Sequence, residues 1–492
     1  MNFVVPDFYP ATAEIFLAAM TLVVMLITAF ARRVARNLSY ALAQTTLLVA
    51  AFITLFTLDI GVDHTFGGMF VRDLLGGVMK LVVYVAVMVA LVYGRGYLAA
   101  RKLDRPEFFL LTLLATLGMM VMITANHLLV LYIGLEMMSL SLYALVAFNR
   151  DDARSTEAGM KYFVLGALAS GLLLYGMSMV YGATGSLELP AVANAVFQHS
   201  ANRAVLLFGL VFLVGGISFK LGVVPFHMWV PDVYQGAPTA VTLIVASAPK
   251  LAGLALALRL LVGGMYGLAF HWQTMLMLVA AASIVLGNLA ALVQHDIRRM
   301  LAYSGISHMG FMLLGLLSGV AGGNADLAAG AYSSALFYGI AYALMTLAAF
   351  GMVTLLSGAG FDAGNIEDFK GLNRRSPWFA LMMLFVMFSM AGIPFFVGFF
   401  AKLVVLQSAI AAGHLWIAIL AVVMSVIGAY YYLRVVKLMY FDEPENTAPI
   451  VAGGELRVLL SVNALAIAAL GLMPGALLDL CLQALRTSAL AG

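Results

Sequence analysis

Fourteen stretches of about twenty apolar residues each, separated by short polar breaks, run along this chain of 492 residues. A helix needs about 20 such residues, rising roughly 1.5 Å apiece, to cross the hydrocarbon core of a bilayer. The stretches fall near residues 11 to 31, 38 to 58, 74 to 93, 107 to 125, 128 to 148, 159 to 182, 204 to 225, 239 to 258, 272 to 293, 300 to 318, 328 to 356, 377 to 412, 414 to 436 and 457 to 482. The expected fold class is therefore an all-α polytopic membrane protein with 14 transmembrane helices. Only 10% of residues are charged, against about 25% in a soluble domain. That excludes a water-soluble globule and a disordered tail, and a net charge of +3 is too balanced for a nucleic-acid binder.

The basic residues test the helix count, because inside loops are enriched in Lys and Arg. With the N-terminus placed outside, 18 of the 26 fall in loops expected inside, among them Arg32, Arg33, Arg101, Arg298, Arg299 and Lys370. Four fall outside: Arg72, Arg203, Arg259 and Arg486. The other four, Lys80, Lys220, Lys250 and Lys402, lie inside apolar stretches. An even number of crossings with both termini outside is expected. The opening MNFVVPDFYP has no basic residue, so no secretory signal or transit peptide is expected and the first apolar stretch should remain. The single Cys481 excludes a disulfide framework, an iron–sulfur cluster and a four-cysteine zinc site within the chain. The longest polar stretches, 357 to 376 and 437 to 456, leave no room for a soluble domain. Function must then reside within the membrane.

Ionised groups at membrane depth are costly and call for a partner or a function. Glu136 lies in the fifth stretch with Tyr132, Ser139 and Tyr143 on the same helical face. Lys220 lies in GGISFKLGVVPFHMWVPD, where Gly215, Gly216, Pro225 and Pro231 predict an interruption near the midplane of the seventh helix. His227 follows that break as a candidate relay. Lys250 follows Pro249 near the middle of the eighth stretch, and Lys402 lies in SMAGIPFFVGFFAKLVVL, whose Gly392, Pro394 and Gly398 repeat the broken-helix pattern. Two interrupted stretches, each with a lysine, suggest a duplicated unit of the kind that holds ion sites in transporters. Tyr303, Ser304, Ser307 and His308 in the tenth stretch, and Ser334, Tyr338, Tyr342 and Thr346 in the eleventh, add polar stripes that could order water. Each residue also has a structural reading: a protonated Glu136 bonded between helices, snorkelling lysines, hydroxyls that only pack. Lys80, about six residues from the outer end of its stretch, is read as snorkelling.

Together, Glu136 and three lysines bridged by hydroxyls and histidines form a lateral chain of candidate proton sites. A Glu–Lys pair at roughly 6 Å, with an effective dielectric constant of about 20, couples by about 3 kcal/mol. Separating Glu136 from its lysine could therefore release a proton, and pairing could restore it.

The strings LYIGLEMMSLSLYAL, EAGMKYFVLGALASGLLLYG, FKLGVVPFHMWVPDVYQGAPTAVT, RRMLAYSGISHMGFMLLG and AGIPFFVGFFAK closely resemble the antiporter-like subunit N family of the proton-pumping NADH-quinone oxidoreductase, respiratory complex I. The resemblance spans roughly residues 100 to 440. It implies two inverted five-helix repeats with broken helices 7 and 12: an N-terminal part (1–100, helices 1–3), a first repeat (101–262, helices 4–8), a second (263–440, helices 9–13) and a C-terminal helix 14 (441–492). It further implies Glu136 and Lys220 as a coupled pair, Lys250 as a central relay, Lys402 as the terminal lysine, and Tyr303 and His308 in the second-half pathway. A lysine at 402 favours subunit N over the sister subunit M, which has glutamate there, and the stop after fourteen helices disfavours subunit L. Where many relatives have lysine ahead of the AYS motif this chain has Arg298, which stays protonated. The implied role is proton translocation coupled to quinone reduction elsewhere in the complex. NADH, FMN, iron–sulfur clusters and quinone would belong to partner subunits, with subunit M and small subunits such as K as neighbours in a bacterial inner membrane. The alternatives are a subunit of an Mrp-type sodium/proton antiporter and a haem-binding protein with His227 and His308 as axial ligands.

Overall fold

The structure is a computed structural model that describes residues 5–30, 35–198, 201–358, 361–445, 450 and 453–490. Arg32, Arg33 and the side chain of Arg36, counted above in the first inner loop, lie outside the described residues, as does Gly492.

The first three helices, α1 (Thr12–Phe30), α2 (Ala35–Phe56) and α3 (Leu74–Ala100), are joined between α2 and α3 by a small hairpin of β1 (Asp63–Thr65) and β2 (Phe70–Arg72). Then follow α4 (Pro106–Thr124), α5 (Leu128–Val146), α6 (Ala153–Thr184), the short α7 (Leu189–Phe197) and α8 (Arg203–Leu221). A connector helix α9 (Trp229–Gly236) leads into α10 (Thr239–Ala246), α11 (Ala248–Ala257) and a π-helical turn, Leu258–Gly264. The remainder comprises α12 (Ala269–Leu292), α13 (Ile297–Ser318), α14 (Ala325–Leu356), α15 (Leu372–Arg375), α16 (Pro377–Ala391), α17 (Val397–Ala411), α18 (Leu415–Phe441), α19 (Gly454–Leu472) and α20 (Gly475–Arg486).

Among the described residues, 13 helices are long and apolar enough to cross a membrane, and α16 and α17 are two shorter apolar helices occupying the expected twelfth stretch. The apolar stretches thus correspond to helices throughout, with three differences. In the seventh, Gly215 and Gly216 stay helical and the break comes later, at Gly222, after an unbroken α8. A helix tolerates two glycines when neighbours pack on them, and a Cβ on Gly216 would stand only 2.7 Å from Cβ of Leu173. In the eighth, the helix is cut at Ser247, because Pro249 has no amide to continue the ladder. In the fourteenth, the helix expected over 457 to 482 ends at Leu472; Pro474 divides it, and α20 is a separate helix.

Two helix pairs come especially close. Gly118 of α4 and Gly134 of α5 face backbone so tightly that a Cβ on either would stand 2.4 Å and 2.7 Å from a main-chain nitrogen of the other helix. Gly287 of α12 makes the same approach to Ser307 of α13, at 2.7 Å. Small residues are the usual means of bringing helices together where lipid supplies no hydrophobic drive. α13 and α14 are buried along most of their length, so the polar stripes noted above face protein rather than lipid.

The charged ends sort by side. At one end, Thr65 Oγ1 donates to the Asp7 carbonyl (2.5 Å), the Ala489 amide donates to Asp73 (3.1 Å) and Arg486 pairs with Asp326 (2.7 Å). Both described termini therefore lie at the same end. At the other, Arg298 pairs with Asp362 (3.0 Å), Arg299 with Asp232 (2.8 Å) and Arg95 with Glu455 (3.1 Å).

Candidate functional site

The site is built outward from helix ends. α8 closes with Gly222 in the left-handed region (φ 72°), a conformation in which a side chain is strained, and this frees the last carbonyls of the helix from intrahelical bonds. Lys250, in the first turn of α11, donates to the Leu221 carbonyl at 2.9 Å. A Cβ on Gly222 would stand 3.2 Å from its Nζ, so the glycine also makes room for the ammonium. The same device recurs at the end of α16. Gly392 adopts φ 89°, and Lys402 of α17 donates to the carbonyls of Met390 (3.2 Å) and Ala391 (3.0 Å). A Cβ there would meet Lys402 Nζ at 3.2 Å. In both cases an ammonium rests on the partial negative charge of a helix C-terminus, without a carboxylate partner.

Lys220 sits in the last turn of α8 and is 7% exposed. Its Nζ donates to Ser139 Oγ (2.5 Å) and to Tyr143 OH (3.5 Å), two residues of the stripe expected on α5. Glu136 shares that stripe but forms no ion pair with Lys220; Ser139, one turn on, takes the ammonium. Glu136 Oε1 is buried without a hydrogen-bond partner, although α5 exposes Ile133 and Leu140 on the same face. A buried carboxylate oxygen without a donor is costly and marks a position served by water or by a neighbour.

His308 is fully engaged: Nδ1 bonds Tyr338 OH at 2.6 Å and Nε2 bonds Tyr432 OH at 3.1 Å. Tyr432 also bonds Ser304, and Ser307 accepts from Asn288 at 2.9 Å. Phe311 stacks on Tyr338 at 5.9 Å and lies 5.4 Å from Lys402 Nζ, so the His308 cluster and Lys402 are neighbours. Tyr303, assigned with His308 to the second-half pathway, lies under Arg299 (5.9 Å). His227 lies half-buried in the loop between α8 and α9, its Nδ1 without a partner. Among the described residues no hydrogen bond joins Lys250 to His308; Tyr342 lies 5.4 Å from the His308 ring, and Gly339 of α14 packs against Leu251 and Leu254 of α11 and Met312 of α13.

The family described as "NADH:quinone oxidoreductase/Mrp antiporter, TM" matches residues 125–428. Over 488 residues the chain is 68% identical to NADH-quinone oxidoreductase subunit N of Azoarcus sp. (strain BH72), covering 99% of each. The chain belongs to the NADH-quinone oxidoreductase subunit N family. A chain in the respiratory complex I of Thermus thermophilus shares its fold with 32% identity and a TM-score of 0.81, over 95% of this chain and 99% of that one. A chain of the Mrp complex from Dietzia sp. DQ12-45-1b, 21% identical with a TM-score of 0.84 over 98% of this chain and 99% of that one, has the same fold.

For a subunit N chain, two readings of the sequence need correction. Lys80 does not snorkel. It is buried and paired with Glu14 of α1 at 2.9 Å, an ion pair that serves the amine in place of water. The haem reading fails as well, since both ring nitrogens of His308 are already bonded to tyrosines. Arg298 is held by Asp362 and by Asp296 (3.5 Å), consistent with a cation that does not cycle. Cys481 is the sole thiol, too few for a cysteine-ligated iron–sulfur cluster, and among the described residues no three His, Cys, Asp or Glu side chains gather as metal ligands. Sequence reasoning missed Glu14, Tyr432, Asn288 and Trp229. Glu14, an acid inside an apolar stretch, carried a signal; the other three look like ordinary membrane-helix residues until the helices meet.

Proposed function

We propose that this chain is a proton-translocating membrane-arm subunit of a proton-pumping NADH-quinone oxidoreductase, and that Glu136, Lys220, Lys250 and Lys402 hold and pass the protons. The observation that carries this reading is the repeated ammonium on a broken-helix end, Lys250 on Leu221 and Lys402 on Met390 and Ala391. A carbonyl can hold an ammonium and can equally remain beside a neutral amine, so neither lysine is locked in its charged form as an ion pair would lock it. Lys220, on hydroxyls alone, is in the same position. Its charge then responds to Glu136, which approaches when a neighbouring subunit covers the open face of α5 and withdraws when that face loosens.

The proton released from Lys220 moves by way of Lys250, and His308 with the hydroxyls of Tyr338 and Tyr432 receives it ahead of Lys402. The stretch between Lys250 and His308 takes up water for that step. Redox chemistry belongs to partner subunits that hold NADH, flavin, iron–sulfur clusters and quinone. The neighbours in this reading include subunit M and small subunits such as K, within a bacterial inner membrane with both termini on the periplasmic side. The duplicated device supports two inverted repeats, α4 to α11 and α12 to α18, after an N-terminal three-helix part.

The intact complex, reconstituted in sodium-free buffer, should acidify or alkalinise sealed vesicles on addition of NADH. A gradient that forms only with sodium would support the sodium/proton antiporter reading instead.

A further inference from the structure

The connector helix α9 joins features that the proton chain does not explain. Trp229, at its start, is 2% exposed and lies against Lys250 of the first cluster. Its indole N–H donates to the Phe219 carbonyl near the end of α8 (3.0 Å), and its ring lies 4.9 Å from Lys250 Nζ. On its other side it stacks on Tyr162 of α6 at 4.4 Å and 15°. Tyr162 meets the edge of Tyr143 at 4.6 Å, and Tyr143 OH accepts from Lys220. An aromatic bridge thus runs from one lysine to the other.

One turn further along α9 stands Asp232, on the same face as Trp229. It accepts from Lys161 of α6 at 2.8 Å, next to Tyr162, and from Arg299 of α13 at 2.8 Å. Arg299 also bonds Gln235 (3.1 Å), which donates to Asp296, the cap of α13 (3.2 Å). Burial pushes the Asp232 carboxyl up, but Lys161 and Arg299 outweigh it and hold the group below the usual carboxylate range, so it stays charged near neutrality. Lys161 and Asp232 line a cavity of about 270 Å³ with Arg154 and Glu157. All three charged partners are partly exposed, which makes each bond individually weak and able to open during turnover.

We propose that α9 is a latch that positions Lys250: Asp232, held between Lys161 and Arg299, fixes the helix so that Trp229 keeps its ring on the Lys250 ammonium, and loss of either ion pair lets the ring leave. Because Arg299 opens α13, the helix that carries His308, the state of the second cluster reaches the first through this carboxylate. Trp229 and Asp232 are positioning residues, acting through Lys250. The inference rests on the reading in which Lys250 carries protons.

The test measures NADH-driven proton pumping by the reconstituted complex, per amount of assembled complex on a native gel. Trp229→Leu removes the aromatic face and should cut pumping by about tenfold, in line with a desolvated cation–π contact. Trp229→Phe keeps a ring and should recover pumping to within about twofold of the native complex. Asp232→Asn should lose a similar factor to Trp229→Leu, and the double variant should be no worse than Trp229→Leu alone, since both act on one contact. If Trp229→Leu lowers the amount of complex, Trp229→Met supplies similar bulk without the face. The latch is overturned if the phenylalanine variant is as impaired as the leucine one, or if the losses multiply in the double variant. Lys250→Ala separates the two levels. Full pumping by that variant would remove the function assigned to Lys250, whereas lost pumping there with intact pumping in Trp229→Leu overturns the latch alone.

Discussion

Each of the buried lysines is defined by what its ammonium touches. Lys80 has a carboxylate, Glu14, and is a structural ion; Lys220, Lys250 and Lys402 have hydroxyls or carbonyls, contacts that in the proposed function leave each able to change charge. Two outcomes follow from that contrast. Removing Glu14 alone strands a buried charge, so Glu14→Ala should destabilise the N-terminal helices by about 3 to 5 kcal/mol. The joint change Glu14→Ala with Lys80→Met should restore most of that, as read from the thermal denaturation of the purified complex. At Lys402 the opposite holds. Lys402→Arg keeps a cation on the end of α16 but one that does not give up its proton, so pumping should fall by more than tenfold while assembly on a native gel is preserved. Equal pumping by the arginine complex would make Lys402 a structural cap. For Lys220→Ala and Glu136→Gln the same pattern is expected: an assembled complex with reduced pumping and slower coupled quinone reduction.

At the scale of elements, the broken helices owe their form to glycine and proline, but not every glycine in these stretches breaks anything. Gly215 and Gly216 stay helical, with Phe226 beside the first and Leu173 packed on the second, while Gly222 and Gly392 turn left-handed and expose carbonyls to a lysine. A comparison within the chain isolates the second effect. Gly413 also has positive φ, 83°, yet nothing stands within 4 Å of a Cβ placed there. Gly413→Ala should therefore cost only backbone strain, about 1 to 2 kcal/mol. Gly392→Ala adds a collision with the Lys402 side chain and should lower pumping per assembled complex as well as stability. If the two variants pump alike, the close fit of Gly392 around the lysine has no functional weight.

For the whole molecule, the ion pairs divide the chain into two charged ends joined by apolar helices. Asp73, Arg259, Asp326, Arg486 and the described termini gather at one end, and Arg95, Asp232, Arg298, Arg299 and Asp362 at the other. Of the basic residues assigned to inner loops from sequence, Arg95, Arg298 and Arg299 stand at one end, and of those assigned outside, Arg259 and Arg486 stand at the other. With the richer basic end facing the cytoplasm, a reporter fused after Gly492 should be external and one inserted in the 362 to 375 loop cytoplasmic. Finding both on one side would break the even number of crossings.

Length and apolarity alone determined most of the architecture, because a bilayer accepts few shapes and a helix of about 20 apolar residues is one it requires. The same cost of burying charge made Glu136, Lys220, Lys250 and Lys402 stand out from the sequence: an ionisable group in an apolar stretch is visible wherever it points. What each of them bonds was decided only by the packing. Ser139 rather than Glu136 receives Lys220, and Glu14, sixty-six residues earlier in the chain, holds Lys80. Tyr432 reaches His308, Trp229 covers Lys250, and Asp232 bridges α6 to α13, contacts that join residues far apart in sequence. Apolar periodicity says that a segment is a helix but carries no record of which helix lies beside it, and a tyrosine or tryptophan in a membrane helix looks the same whether it meets lipid or an ammonium. Helix ends were legible where proline removes a backbone donor and obscure where a neighbouring side chain supports a glycine, since local chemistry is written in the chain and the neighbour is chosen by the fold.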